Sequence, residues 1–371
     1  MERRGSVMRQ DYIDTQRQRH GRKAVAVLPI HYPKEILTAM DLLAVEVWGP
    51  PGPARGHAAA QIQPYVCAIV RNALAFLAAG GEQHVDAVLF PHTCDSLQGV
   101  ASLAADFGAL RRPTLQYLHP KGGRRDSTLA FATAELRRLA ETLARLTGHA
   151  LDDAKLSGAI ALHLEIHALR RRLLTERRHL PASDVELYRC LRRGEFLWPA
   201  DHRAELEALS ARLTKDAAAV AVPLMVSGYV PEPRTLLEAL DRLGARIVAD
   251  DYAAVGRRVL RQPVVPEADP WRTLATLAFA GPPCPTFGTP LGERLSYLDG
   301  LFTASKARGL VIHVVKFCDP ELFQVPALQA HFAAKNAPVL VLETELEEQL
   351  SGQTQTRLEA FVEMVGNRGV S

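Results

Sequence analysis

Three cysteines stand where a loop meets the start of a helix, a setting suited to thiol chemistry. Cys94 lies within VDAVLFPHTCDSLQ, residues 85–98. That stretch opens as a short apolar run, the mark of a buried parallel strand. Pro91 has no N–H to donate and ends the ladder, and a helical pattern opens near Ser96. Cys318 repeats the device, because a strand-like run over 310–315 leads into Lys316, Phe317, Cys318, Asp319 and Pro320. Cys67 precedes AIVRNALAFLAAGG, a helix with Gly80 and Gly81 at its stop. In open α/β sheets, ligands bind outside the carboxyl ends of strands. Helix N-termini favour the thiolate over the thiol. The recurrence predicts that Cys94 and Cys318 face one site.

None of these cysteines belongs to a C-x-x-C pair, which argues against a zinc ribbon. Nor is the spacing that of a ferredoxin. Three thiolates gathered by the fold around a [4Fe–4S] cluster would leave one iron open to a substrate oxygen, as at a catalytic metal. The alternative is that two or three of them are ordinary buried cysteines. Cys284, between two prolines, reads as a buried structural thiol, and Cys190 as inert. His92 is a candidate donor to a cluster sulfide or substrate oxygen, and Glu343, at the end of the last strand, a candidate pocket residue. Asp95 and Asp319 read as helix caps. Asp250 and Asp251 read as turn or cap residues, and Ser351-Gly352-Gln353 as a cap. Arg357 is a candidate contact for an anionic ligand.

The elements that must position these residues alternate strand and helix. Strands are predicted at 24–30, 44–48, 85–90 and 114–118, with helices between them, so a parallel sheet covered by helices is expected. From 126 to 215 the chain is rich in Ala, Leu, Arg and Glu with i, i+3, i+4 apolar spacing. Four helices are predicted there. Their charge run LRRRLLTERRHL, residues 169–180, reads as a solvated helix face. The alternatives are a groove for coenzyme A phosphates and a partner's docking face. Strands return at 219–226, 246–249, 310–315 and 338–343. The expected organisation is an N-terminal arm (1–23), an α/β domain with Cys67 and Cys94 (24–125), a helical domain (126–218) and an α/β domain with Cys318 (219–371). The fold class is α/β, with two flavodoxin-like parallel-sheet halves around a helical middle.

At 371 residues the chain is long enough for two or three domains. A formal net charge of +3 argues against a primary role on nucleic acid. No apolar run reaches the roughly 18 residues that span a bilayer. The N-terminal arm lacks the apolar core of a secretory signal and reads as frayed or partner-binding. Five scattered cysteines are not a disulfide framework, so a cytoplasmic setting is expected.

Several phrases together point further. PIHYPKEILTAM at 29–40, the Cys67 helix, VDAVLFPHTCDSLQ, IVADDYAAVGRR at 247–258, VKFCDPELFQVP at 315–326 and VLVLETELEEQLSGQTQTRLEAFVEM at 339–364 follow in order. Through them the chain resembles the 2-hydroxyacyl-CoA dehydratase and benzoyl-CoA reductase family of iron–sulfur proteins, over nearly everything beyond the arm. The resemblance implies a [4Fe–4S] cluster held by the matching Cys67, Cys94 and Cys318. It implies a heterodimer with a homologous second subunit, and a separate ATP-hydrolysing activator that injects an electron at low potential. In the dehydratases a ketyl radical of a 2-hydroxyacyl-CoA then expels the hydroxyl. In the reductases electrons enter an aromatic acyl-CoA ring. The expectation is therefore the iron–sulfur subunit of a (R)-2-hydroxyacyl-CoA dehydratase. An aromatic acyl-CoA reductase subunit is the alternative within the family, and a noncatalytic electron-relay or scaffold subunit the alternative of another class.

Overall fold

The computed structural model describes residues 2–52, 62–106, 108, 110–216, 220–261, 263–347 and 349–367. Among these residues, eight strands form two four-stranded, all-parallel sheets. The first contains β1 (Lys23–Val27), β2 (Leu42–Glu46), β3 (Ala87–Pro91) and β4 (Thr114–Tyr117), in the order β2-β1-β3-β4. The second contains β5 (Val222–Gly228), β6 (Ala245–Tyr252), β7 (Gly309–Val315) and β8 (Val339–Thr344), in the order β6-β5-β7-β8. Counted within each half, both orders are 2-1-3-4. The expectation of an α/β chain with two parallel-sheet halves holds.

Central strands such as VPLMVSG and GLVIHVV are buried along their whole length. Of the edge strands, TLQY and VLVLET alternate buried and open positions, whereas LLAVE and ARIVADDY are covered almost throughout. Across β1, Ala24, Ala26 and Leu28 enter one core with the helix Ala68–Ala78, while Val25 and Val27 enter a second. That second core packs Leu129, Leu136 and Leu143 with Trp271 and Leu274. Alternate side chains thus bury both faces, as a parallel sheet requires.

The segment between the sheets is helical, in Asp126–Thr147, Asp153–Thr175, Asp184–Arg193 and Pro199–Ser210. The domain boundary expected at 218–219 lies outside the described residues. Two helices went unpredicted. One is Pro270–Leu277, whose N-cap Asp269 accepts from the Trp271 N–H. The other is Glu2–His20, where a frayed or partner-binding arm was the expectation. Its Ile13 is buried, and its Arg17 holds Asp86 at 2.8 Å. The charge run at 169–180 also departs from expectation: Arg170 and Arg177 are buried, not solvated. Arg177 pairs with buried Asp184 at 2.8 Å, and Asp184 also accepts the Ile247 N–H of β6 at 2.9 Å.

Salt bridges close the two halves on one another. Arg258, after β6, donates to both carboxylate oxygens of Glu46, at the end of β2, at 2.6 and 2.7 Å. Arg71 of the Cys67 helix reaches Glu345, just after β8, at 3.4 Å.

Candidate thiol site and adjoining cavity

The 2-1-3-4 order creates a switch point between β1 and β3, and its counterpart between β5 and β7. Cys94 follows β3 and Cys318 follows β7, so the two cysteines occupy equivalent positions in the two halves. Cys67 is the N-cap of the helix Ala68–Ala78, and Cys318 that of the turn Asp319–Leu322. Asp95 and Asp319 are therefore the first residues of their helices, not the caps the sequence suggested. The chain bends sharply to deliver these positions. Phe317, Ile30 and His31 have φ of 63°, 70° and 57°. A left-handed β-branched residue such as Ile30 is held only by its surroundings.

Burial dominates at all three thiols, and Cys67 and Cys318 also feel their neighbours. Cys318 is pushed well above the ordinary thiol range by burial, then by Cys67, Glu321 and Cys94. Burial pushes Cys67 up to about 12, with Cys94 adding to the rise and the Val70 and Ile69 N–H groups opposing it. Cys94 is raised by burial against the Leu97 and Ser96 N–H groups. Helix N-termini favour the thiolates, as the sequence suggested, but desolvation wins. Left alone, these are neutral thiols, and a metal would have to displace their protons.

Does the setting fit an iron–sulfur cluster? Among the described residues, no three His, Cys, Asp or Glu side chains gather as a site for a single ion. A cluster asks for something different, thiolates spread around its corners. Next to Cys94, the His92 Nε2 and Thr93 Oγ1 are buried and without hydrogen-bond partners. Buried polar atoms rarely stay unpaired, and a polar group among the cysteines would meet that need. Thiol donors and orphaned atoms together fit the cluster.

The other candidates scatter. Glu343 is exposed on the edge strand β8, its neighbours Leu342 and Thr344 being buried. Cys190 sits in the helix Asp184–Arg193 with its Sγ 3.9 Å from the Glu205 carbonyl. Arg357 donates to the Val341 carbonyl at 2.8 Å. Ser351 accepts the Thr354 N–H at 3.2 Å, as a cap should. Cys284 is fully buried, 3.1 Å from Thr286 Oγ1 and 3.7 Å from Arg257 Nη1.

What sequence reasoning missed is the ionic layer behind the thiols. Asp251 lies within β6 and binds Arg257 at 3.0 Å and Arg294 at 2.7 Å. It is no turn residue. Arg257 continues to Glu321, three residues past Cys318. Asp250 does cap a turn, accepting the Tyr252 and Gly256 N–H groups. The strand was read as ending at 249, which hid the burial of both aspartates. Tyr229, after β5, completes the layer. Burial raises its phenol first, followed by Cys94, Cys318 and Cys284.

Arg257 also lines a cavity of about 190 Å³ between the halves and the helical segment. Its polar wall includes His31, Lys34, Glu46, His163, His167 and Arg170. A second pocket shares His119 and Phe287 with it and adds Gly122, Gly123, Arg124 and Arg261.

Comparison with known proteins agrees with this architecture. The family described as "2-hydroxyglutaryl-CoA dehydratase, D-component" matches residues 29–365. The chain is 23% identical over 363 residues to the beta subunit of lactoyl-CoA dehydratase from Anaerotignum propionicum, covering 95% of this chain and 94% of that one. It is 28% identical over 337 residues to a subunit of benzoyl-CoA reductase from Thauera aromatica, covering 86% and 84%. It is 25% identical over 355 residues to the beta subunit of (R)-2-hydroxyglutaryl-CoA dehydratase from Acidaminococcus fermentans, covering 92% of each. No helix among the described residues is long and apolar enough to cross a membrane. With two sheets of matching order, cysteines at equivalent strand ends and a match from 29 to 365, the chain belongs to the 2-hydroxyglutaryl-CoA dehydratase D-component family.

Proposed function

We propose that this chain is a [4Fe–4S]-binding subunit of a 2-hydroxyacyl-CoA dehydratase, which removes water from its thioester substrate after one-electron activation. The observation that carries the reading is the placement of Cys67, Cys94 and Cys318 at helix starts contributed by both halves, with Cys94 and Cys318 at equivalent strand ends. These three residues would hold the cluster. When bound, it supplies a one-electron reductant and, with three protein ligands, a Lewis-acidic iron.

The chain's own residues supply the rest. His92 offers a buried ring nitrogen beside Cys94 for a hydrogen bond to the cluster or to a substrate oxygen. Its basicity is lowered by burial and by Lys121, so the ring is neutral at pH 7 and donates as one tautomer. Tyr229, after β5, is kept protonated by burial and by the neighbouring thiols. Arg257 and Glu321 fix the Cys318 turn. Glu343 is assigned no role, since it faces solvent. Partners in this reading are a homologous second subunit and a separate ATP-hydrolysing activator.

The test is anaerobic reconstitution of the chain, alone and with its partner subunit. Cys67→Ser, Cys94→Ser and Cys318→Ser should each lose iron and the cluster's EPR signal, since a hard alkoxide replaces a soft thiolate poorly. Cys190→Ser should keep both. Full iron content in the Cys318→Ser protein would sink the shared site. A reductase reading is favoured by one observation, the 28% identity to a benzoyl-CoA reductase subunit. Product analysis with 2-hydroxyacyl-CoA and aromatic acyl-CoA substrates separates the two.

A further inference from the structure

Acidic residues follow two of the three cysteines closely, and their settings differ. Asp95 and Asp319 come directly after Cys94 and Cys318 and are exposed, so water and salt screen their charge. Glu321 lies in the turn that Cys318 caps and is 2% exposed. Its N–H donates to the Cys318 carbonyl at 3.0 Å. A carboxylate buried so near a ligand acts through a low dielectric, where a unit charge counts for several times more than at the surface.

Glu321 is the end of a chain of charges. Arg257 binds it and also reaches Asp251 at 3.0 Å. Arg294 binds Asp251 at 2.7 Å and comes within 3.9 Å of Glu321. All four side chains are buried. Burial raises the Asp251 carboxyl, but Arg257 and Arg294 outweigh burial and keep it ionised. Two cations thus meet two anions, and the layer as a whole is neutral. Seen from Cys318 it is lopsided, because the carboxylate of Glu321 belongs to that cysteine's own turn. After burial and Cys67, Glu321 is the group that most opposes negative charge on the Cys318 sulfur.

Stability alone does not call for charge at this place. Replacing a buried ion pair by well-packed apolar side chains of similar volume is often neutral or stabilising, so apolar residues could hold the turn as well. What they could not do is bias the charge that the cysteines bear.

We propose that Glu321 and Arg257 set the reduction potential of the cluster held through Cys318, the carboxylate opposing the incoming electron and the guanidinium limiting that opposition. The inference rests on the iron–sulfur reading of the three cysteines. Uptake of one electron from a low-potential donor makes the thiolate-bound group one unit more negative, and no proton need move. Glu321 therefore lowers the potential and Arg257 raises it. Both act through the Cys318 turn.

The test is an EPR-monitored redox titration of the anaerobically reconstituted full chain, with iron content measured first. Glu321→Gln should raise the equilibrium constant for one-electron reduction about tenfold, an upward shift of about 59 mV. Arg257→Gln should lower it by a similar factor. Asp319→Asn removes the same charge from an exposed neighbour and should change it less than about twofold. The Glu321→Met, Arg257→Met double variant fills the same space without charge and leaves Arg294 paired with Asp251, so it reads the pair even if a single variant fails to fold. Its iron content should match wild type, and its reduction constant should lie within about threefold. A purely structural role would move both single variants the same way. Shifts of one sign, shifts no larger than that of Asp319→Asn, or loss of iron from the double variant would overturn the inference. A full cluster with unmoved potentials overturns the inference alone, whereas a wild-type chain that takes up no cluster overturns the iron–sulfur reading with it.

Discussion

Glu46 shows how much one side chain has to settle. It is fully buried at the end of β2. There it accepts from Arg258, from the Tyr32 hydroxyl at 2.9 Å and from the Trp48 Nε1–H at 3.2 Å, with Lys34 3.7 Å away. Burial drives its pKa up, but Arg258, Lys34 and Tyr32 outweigh burial and hold the carboxylate at about 2. The folded value is below the unfolded one, so the stabilisation is complete above about 4.5 and is lost as pH falls from there towards 2. It is worth on the order of 3 kcal/mol. The cavity histidines act earlier on the same descent. Burial lowers His119 to about 3 and His167 to about 4. The unfolded chain binds their protons first, and stability drains away as pH falls below about 6.5. Urea midpoints should therefore decline from pH 7 to pH 3. In Glu46→Gln the pH 7 midpoint should drop by the equivalent of about 3 kcal/mol, with Arg258 left unpaired. The variant's decline below pH 4.5 should be shallower. A variant with the wild-type profile would refute the clamp.

At the scale of elements, a few polar contacts decide where helices sit on sheets. Asp184 opens the helix Asp184–Arg193, neutralises Arg177 and caps the Ile247 N–H of β6. Asp184→Asn should loosen the helical segment from the second sheet and cost about 3 kcal/mol, since a buried arginine loses its counter-charge. Hydrogen exchange should then rise in 184–193 and at β6 ahead of the first sheet. Uniform loss of protection would argue against so local a role. Gly228 is a second such point, because a Cβ there would lie 2.1 Å from the His313 carbonyl oxygen. These contacts also mark where sequence stops being legible. Apolar runs announced β1, β3, β5 and β7, since a central parallel strand is apolar along its length. Cys67, Cys94 and Cys318 were visible because each follows a strand or turn and opens a helix. Asp251, Arg257, Arg294 and Glu321 were not, because Arg294 lies 43 residues from Asp251 and Glu321 lies 64 from Arg257. Arg170 was hidden for a related reason. A charged helix face looks solvated until the second half of the protein is laid against it.

For the whole molecule, the open question is what lies over the thiols. Single exposed apolar residues are ordinary, and Val265 and Met364 need no explanation. Tyr65 and Phe323 differ in position. Tyr65 is 64% exposed two residues before Cys67, and Phe323 is 82% exposed five residues after Cys318. They come from opposite halves, and each lies within five residues of a proposed cluster ligand. Chemistry that passes through radicals needs water kept out, and large aromatics are the side chains that most often anchor an interface. We expect the homologous second subunit to cover both rings. A Tyr65→Asp, Phe323→Asp double variant should then weaken heterodimer formation at least about tenfold, measured by size-exclusion chromatography of the co-expressed pair across a dilution series. Its thermal midpoint and iron content should stay near those of the wild type, because neither side chain is buried in the single chain. If the heterodimer persists at wild-type dilution, the partner does not sit over the thiols. If iron is lost while the heterodimer holds, the two rings shield the cluster within this chain, and the subunit interface must be sought on another face.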